Sequence, residues 1–314
     1  MKRLGSLIMC AAVSAVLFGC SSSSTSGPPP TPAPQAIYVS SFNNPGVLAK
    51  IMLPLSITST VTQLTPTGLN QSISLRFDHA GNLWSCNDFT TASATGYAAP
   101  ITNASTPFST INIPTAANPE AVAVDAAGNL WLADGGANKV YEFTPPFAGS
   151  ITPTPAVTIS SVTAPTGIAF DAAGNLYVSN ETAGTIDIFN PPFTTGQSPT
   201  ATPITGMGEP KGLAFDATGN LYIADFMGFV YRMNAPTAGG GAVSIKDTAT
   251  TMNSPEDVAV DSAGNLYVTD LNTPNLYMFP TATAAFSATM APSVTLPLGF
   301  AAGIHGGGVA IGAP

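Results

Sequence analysis

Large apolar and small residues alternate in Ile73-Ser74-Leu75-Arg76-Phe77, Glu120-Ala121-Val122-Ala123-Val124, Thr166-Gly167-Ile168-Ala169-Phe170, Lys211-Gly212-Leu213-Ala214-Phe215 and Glu256-Asp257-Val258-Ala259-Val260. A period of two predicts strands, with large side chains filling one face and small ones letting a neighbouring sheet approach the other. Each run is followed by Asp-x-x-Gly-Asn and then by a second apolar run opening with Leu83-Trp84, Leu130-Trp131, Leu176-Tyr177, Leu221-Tyr222 or Leu266-Tyr267. The connection reads as a tight hairpin. Its aspartate accepts hydrogen bonds from turn amides and its glycine supplies the positive φ of a bulged turn. An aromatic at one fixed place in every repeat is expected to be core.

The turn aspartates stand at Asp78, Asp125, Asp171, Asp216 and Asp261, spacings of 47, 46, 45 and 45 residues. A fixed period in that range predicts a repeat array, most often a β-propeller. Third strands follow (Val140-Tyr141-Glu142-Phe143, Ile186-Asp187-Ile188-Phe189, Val230-Tyr231-Arg232-Met233, Leu276-Tyr277-Met278-Phe279), and a weaker fourth strand, such as 201–204, completes each blade. At the N-terminal side Ile37-Tyr38-Val39-Ser40-Ser41 matches a second strand and 47–52 a third, whereas Ala302-Gly303-Ile304-His305 matches a first strand. The expectation is an all-β, six-bladed β-propeller of four-stranded antiparallel blades over 37–314, closed by a blade shared between the N- and C-terminal strands. Seven blades is the alternative, but the length from Ile37 onward divided by the repeat favours six.

The remaining composition adds an address. Lys2-Arg3, an apolar run to Phe18, and Leu17-Phe18-Gly19-Cys20 have the layout of a secretory signal. The last four residues resemble the lipobox of bacterial lipoproteins, which implies cleavage before Cys20 and a diacylglycerol on its thiol. The run is too short for a membrane span of about 20 residues. Residues 21–36, rich in Ser and then Pro, read as an extended tether. A serine after the lipidated cysteine resembles the outer-membrane sorting pattern, so the expected location is the bacterial cell envelope, the propeller outside the cytoplasm. Cys86 is then the one free thiol of the mature chain, a small apolar filler. With Lys2 and Arg3 removed, 6 basic residues face 17 acidic ones, which argues against nucleic acid as a partner.

The run Pro165-Thr166-Gly167-Ile168-Ala169-Phe170-Asp171-Ala172-Ala173-Gly174-Asn175-Leu176-Tyr177-Val178-Ser179-Asn180 resembles an NHL repeat. The likeness covers about 37–312 and extends to the SMP-30/gluconolactonase-like six-bladed propellers. It implies a fold more than a function, because such propellers include scaffolds, binders and some enzymes. The expected channel face carries Ile73, Glu120, Thr166, Lys211, Glu256 and Ala302 before the first strands, with Glu209 nearby. Asn87, Asp134, Asn180, Asp225, Asp270 and Ser41 stand after the second strands. Glu120, Lys211, Glu256, Asp134, Asn180, Asp225 and Asp270 are the candidate ligand contacts for a protein, glycan or small molecule. Of these, Glu120, Glu256, Asn180, Asp225 and Asp270 could also hold Ca²⁺ or another divalent cation, although an Asp or Asn ending a strand commonly caps its own loop.

Two functional classes follow. One is a binding or interaction module, requiring no cofactor and expected to be a monomer. The other, implied by the gluconolactonase likeness, is a divalent-metal-dependent hydrolase using Glu120 or Glu256 with Asn180 and Asp225 or Asp270; the Glu-Gly-Pro context of that group is missing. The zinc lyase propellers use three histidines, and only His79 and His305 exist here. Arg76 and His305 both break the small-residue pattern of the first strands and are the candidate acid/base pair. The most direct test of the address is Cys20→Ala: the protein should leave the membrane fraction or accumulate unprocessed, and unchanged membrane association with normal processing would count against the anchor.

Overall fold

The computed structural model describes residues 35–87, 92–113, 118–200, 203–234, 236, 245–247, 252–280, 290–301 and 303–314. These belong to the unit Pro34–Pro314. The signal, Cys20 and the tether up to residue 34 lie outside them, as does Ala302.

Six sheets form a closed ring. Their innermost strands are Ser72–Phe77, Pro119–Val124, Pro165–Phe170, Pro210–Phe215, Pro255–Val260 and Gly306–Gly312. Blades one to five take consecutive chain, and in each the inner strand turns through Asp-x-x-Gly-Asn into its antiparallel partner. The sixth joins both ends of the chain: Gly306–Gly312 pairs with Ala36–Ser41, which pairs with Leu48–Met52 and then Val61–Leu64. Six buried apolar clusters fill the six interfaces between blades.

The closing strand is not the one expected. Ala302-Gly303-Ile304-His305 precedes it, and the true counterpart of Thr166-Gly167-Ile168-Ala169 is Gly307-Gly308-Val309-Ala310. Close approach explains why this strand lacks the alternating pattern. A Cβ on Gly307 would fall 2.1 Å from the Ser72 carbonyl oxygen, and one on Gly308 2.5 Å from the Leu75 nitrogen. Large side chains therefore cannot stand there, and the periodic signal disappears. Two smaller departures occur. Blade three has three strands and an isolated bridge, Ile186 with Ile204, in place of a fourth. Blade one gains a fifth, parallel strand, Gly149–Ile151, from the neighbouring repeat.

The turns form as their residues dictate. In the turn at Asp171, Oδ1 accepts from the amides of Ala173 and Asn175 at 2.9 Å each and Oδ2 from the Asn175 side chain at 2.8 Å, while Gly174 takes φ +82°. The other oxygen also reaches the conserved-position aromatic: Trp84, Trp131, Tyr222 and Tyr267 donate to Asp78, Asp125, Asp216 and Asp261. Blade six has no such turn, and Tyr38 donates instead to the Ala313 carbonyl at 3.2 Å. These aromatics are buried and pack edge-on against the next blade, Trp131 on Phe170, Tyr177 on Phe215 and Tyr38 on Phe77, with ring centroids 5.7, 4.9 and 5.5 Å apart. The Pro-Pro-Phe segments work in the reverse direction, placing Phe147 on Trp84 and Phe193 on Trp131 of the preceding blade.

Because every blade buries its faces only against its neighbours, opening one interface removes support from the rest. Deleting 306–314 would strip the inner strand from blade six and leave an unpaired edge at Ala36–Ser41. The truncated protein should lose more than about 10 °C in melting temperature, an effect of several kcal/mol for a domain of this size. A calorimetric melt within a few degrees of the intact chain would show that the ring does not depend on its closure.

Candidate functional site

The six inner strands run side by side, so each position along them forms a ring around the channel axis. The fifth position reads Arg76, Ala123, Ala169, Ala214, Ala259 and Ala310, and the third reads Ser74, Ala121, Gly167, Gly212, Asp257 and Gly308. The two charges in these otherwise small rings meet. Arg76 Nη1 donates to Asp257 Oδ2 at 2.9 Å and Nη2 to Oδ1 at 3.1 Å, a bidentate pair.

The pair crosses the channel. Arg76 belongs to blade one and Asp257 to blade five, and the guanidinium also donates to the carbonyls of Leu75 (2.6 Å), Val309 (3.3 Å) and, in the opposite blade four, Leu213 (3.1 Å). Asp257 accepts in addition from the amides of Val258 and Val309 at 2.9 and 3.0 Å. Its side chain is 2% exposed and that of Arg76 20%. A charge so deep in the channel is tolerated because each meets the other and further backbone groups. The proposed Arg76/His305 acid/base pair is corrected by this arrangement. His305 precedes the closing strand and lies five residues before Ala310, the true neighbour in the Arg76 ring, a span of roughly 16 Å along a strand.

The plug divides the channel into two mouths. On the side of the Asp-x-x-Gly-Asn turns the lining side chains other than Arg76 are apolar. On the opposite, loop side stand Glu120, Lys211 and Glu256, all at the second position of their strands, joined by Glu181 from the loop after Asn180. Lys211 Nζ lies 3.0 Å from Glu181 Oε1 and 5.4 Å from the centroid of the Phe226 ring. Burial alone would lower the Lys211 pKa, but Glu256, Glu120 and Glu181 outweigh it and hold the ammonium above its ordinary value. The Glu120 carboxylate accepts from the Asn118 side chain. Three carboxyl groups thus act on the Lys211 ammonium, with Glu181 in direct contact.

Glu256 is the unusual member. It is 7% exposed, and its Oε2 is buried with no hydrogen-bond partner. Burial, offset only in part by Lys211 and reinforced by Asp257, Glu181 and Asp270, pushes its carboxyl up to about 7. His305 is on the same mouth, in the adjacent blade, and its Nδ1 is likewise buried without a partner.

The ring after the second strands has a different role. Asp134 Oδ1 accepts from the amides of Asn118 and Ala137, and Asn180 from Thr163. Asp225 takes those of Gly208, Glu209 and Met227, and Asp270 those of Asn253, Ser254 and Asn272. Asn87 accepts from Asn70. These side chains cap their own loops. Among the described residues no group of three or more His, Cys, Asp or Glu side chains is placed to hold a metal ion. Glu209 stays in the loop before its strand, with its amide on Asp225. His79, in its turn, contacts the Asp125 carbonyl through Nε2 at 2.9 Å. Cys86 is buried and free of any disulfide.

Sequence reasoning missed Asp257 and Glu181. Asp257 could have been found as the second charge in the small-residue rings, as Arg76 was. Glu181 carried only a weaker sign: at the same place the other blades have Gly135, Phe226, Leu271 and Phe42, and Asp88, which lies outside the described residues, is the second acid of the set.

No family model matches the sequence, and no curated protein matches it. Solved structures do match. A chain of a nidogen/laminin complex is 17% identical, with a TM-score of 0.64 over 88% of this chain and 98% of its own. A Bacteroides caccae protein of unknown function is 14% identical, with a TM-score of 0.62 over 90% and 100%. A Bacteroides uniformis protein provisionally named a 6-phosphogluconolactonase is 15% identical, with a TM-score of 0.60 over 84% and 83%. At these identities the likeness is one of fold, a closed β-propeller.

Two outcomes test the channel. Arg76→Met and Asp257→Asn should each cost roughly 3 kcal/mol in urea unfolding, since each leaves a buried polar group unpaired, and the double variant clearly less than their sum. Strict additivity would deny the coupling. For Glu256 the folded-state pKa of about 7 lies above the ordinary 4.5, so between those values the folded state keeps a proton that the unfolded chain has lost. Stability should fall as pH rises through that window and level off above it. Glu256→Gln removes the penalty, so its melting temperature should exceed that of the parent by several degrees at pH 8, with the difference shrinking towards pH 4.5.

Proposed function

We propose that this chain is an NHL-type propeller lipoprotein, anchored through Cys20 in the bacterial envelope, that binds a ligand carrying a positively charged group at the loop-side mouth of its channel. The observation that carries the ligand chemistry is the buried Glu256 oxygen without a partner, in a cluster where Glu120 and Glu181 also act on Lys211. A buried acceptor of that kind is costly until something donates to it. An ammonium or guanidinium group supplies both the donor and the missing charge. A neutral ligand would supply only the first, and an anionic one would meet three carboxyl groups.

The address rests on Lys2-Arg3, the apolar run and the lipobox-like Leu17-Phe18-Gly19-Cys20. The binding reading is preferred to a metal-dependent hydrolase because the acidic residues after the second strands are engaged with loop amides. The plug beneath the mouth is saturated by its own contacts, so the Arg76 and Asp257 charges serve the fold and leave recognition to the residues above them.

Calorimetric titration with small organic cations, choline, spermidine and arginine amide, tests the proposal. At least one should bind with a Kd below about 1 mM, an affinity near −4 kcal/mol, and lose tenfold or more in the Glu120→Gln/Glu256→Gln variant. Binding of Ca²⁺ in place of the organic cations, abolished by the same substitutions, would overturn it in favour of a metal site.

A further inference from the structure

The mouth on the turn side has no part in the function proposed above, and it is built differently. A cavity of about 330 Å³ opens there, within the range of small-molecule pockets. Its wall is the alanine ring Ala123, Ala169, Ala214, Ala259 and Ala310, and its lip is one apolar residue from each blade, Phe77, Val124, Phe170, Phe215, Val260 and Ile311. All six lip residues are half-buried. Phe77, Phe170 and Phe215 are held in place from behind by Tyr38, Trp131 and Tyr177 of the preceding blades. The cup is therefore rigid and preformed.

We infer that this cup binds a single alkyl chain bearing a cationic or uncharged headgroup. The floor is the Arg76–Asp257 pair, and both guanidinium Nη atoms are already committed to Asp257 and to the carbonyls of Leu75, Val309 and Leu213. A polar headgroup buried against that floor would meet Nη atoms already partnered and would lose its hydration. The part of a ligand that enters is apolar, and the head stays outside. The charge around the lip decides which head. Asp78, Asp125, Asp171, Asp216 and Asp261 ring the mouth, and the turns themselves contain neither Lys nor Arg. Lys50 and Arg232 stand in third strands, two strands further out, and Glu142 at the same distance adds a further carboxyl. The excess of acidic groups repels a carboxylate or sulfate head and accepts an ammonium or a neutral one.

Chain length and head charge give the test. With the full chain carrying Cys20→Ala, alkyltrimethylammonium and alkyl sulfate series are titrated below their micelle concentrations. Affinity for the ammonium series should rise about fourfold per added methylene and stop rising once the cup is full, and the sulfate of equal length should bind at least tenfold more weakly. Ala214→Leu and, separately, Ala259→Leu put bulk into the empty space from half-buried positions. Each should reduce binding tenfold or more while the melting temperature stays within a few degrees. If either fails to fold, Val260→Asp at the lip gives the same reading. The Glu120→Gln/Glu256→Gln variant should bind the alkyl series as the parent does, which separates this site from the loop-side mouth. No dependence on chain length, equal binding of the sulfates, undiminished binding by the lip and wall variants, or loss in the loop-side variant would each overturn the inference.

Discussion

How near the inner strands come to one another governs this propeller. A Cβ on Gly167 would lie 2.1 Å from the Lys211 carbonyl oxygen, and one on Gly212 2.2 Å from Asp257 Oδ1. Real Cβ atoms do not make such contacts, so much of the inner ring is restricted to Gly, Ala and Ser. That restriction sets the channel's bore, and the bore determines what it can hold. Two long charged side chains fit on the axis only because the other positions at their levels are small. In return, the Arg76–Asp257 pair braces strands from blades one, four, five and six against each other. Such a cross-brace also gives specificity of arrangement, since any slip of one blade along its neighbours would leave a buried charge unpaired.

Placing the neutral pair in mid-channel also separates two electrostatic worlds. Above it, three glutamates and a lysine sit close enough for Glu256 and Lys211 to perturb each other. Below it, apolar side chains from all six blades line the channel around Arg76. The two ends of one short channel therefore have different chemistries.

Much of this was readable beforehand, for a local reason. The Asp-x-x-Gly-Asn turn is specified within five residues, and five copies report the period, the strand order and the buried aromatic together. The roles of Asp134, Asn180, Asp225 and Asp270 were legible only as alternatives, loop cap or ligand, because both uses need the same oxygen atoms and differ only in what lies opposite. What failed was non-local. The closing strand was placed several residues early because Gly306-Gly307-Gly308 has no side chains to alternate, their absence being imposed by Ser72 and Leu75, more than 200 positions away in the chain. Arg76 was noticed as an exception but given His305 as a partner, an error that followed from that misplaced strand. Asp257 was passed over although it stands at the third strand position, where the other inner strands carry Ser74, Ala121, Gly167, Gly212 and Gly308.

The sixth blade has a consequence of another kind. Ala36 is paired with Gly312, so the two ends of the described fold are neighbours in one sheet. A ring of equivalent units has no natural first member. The blade order can be rotated without changing a contact, provided that a short peptide bridges those ends and the new break falls in one of the five hairpin turns. A chain redrawn in that way would make blade six continuous and share the blade with the cut turn between its two ends, so the covalent beginning of the molecule is a matter of connectivity and not of architecture.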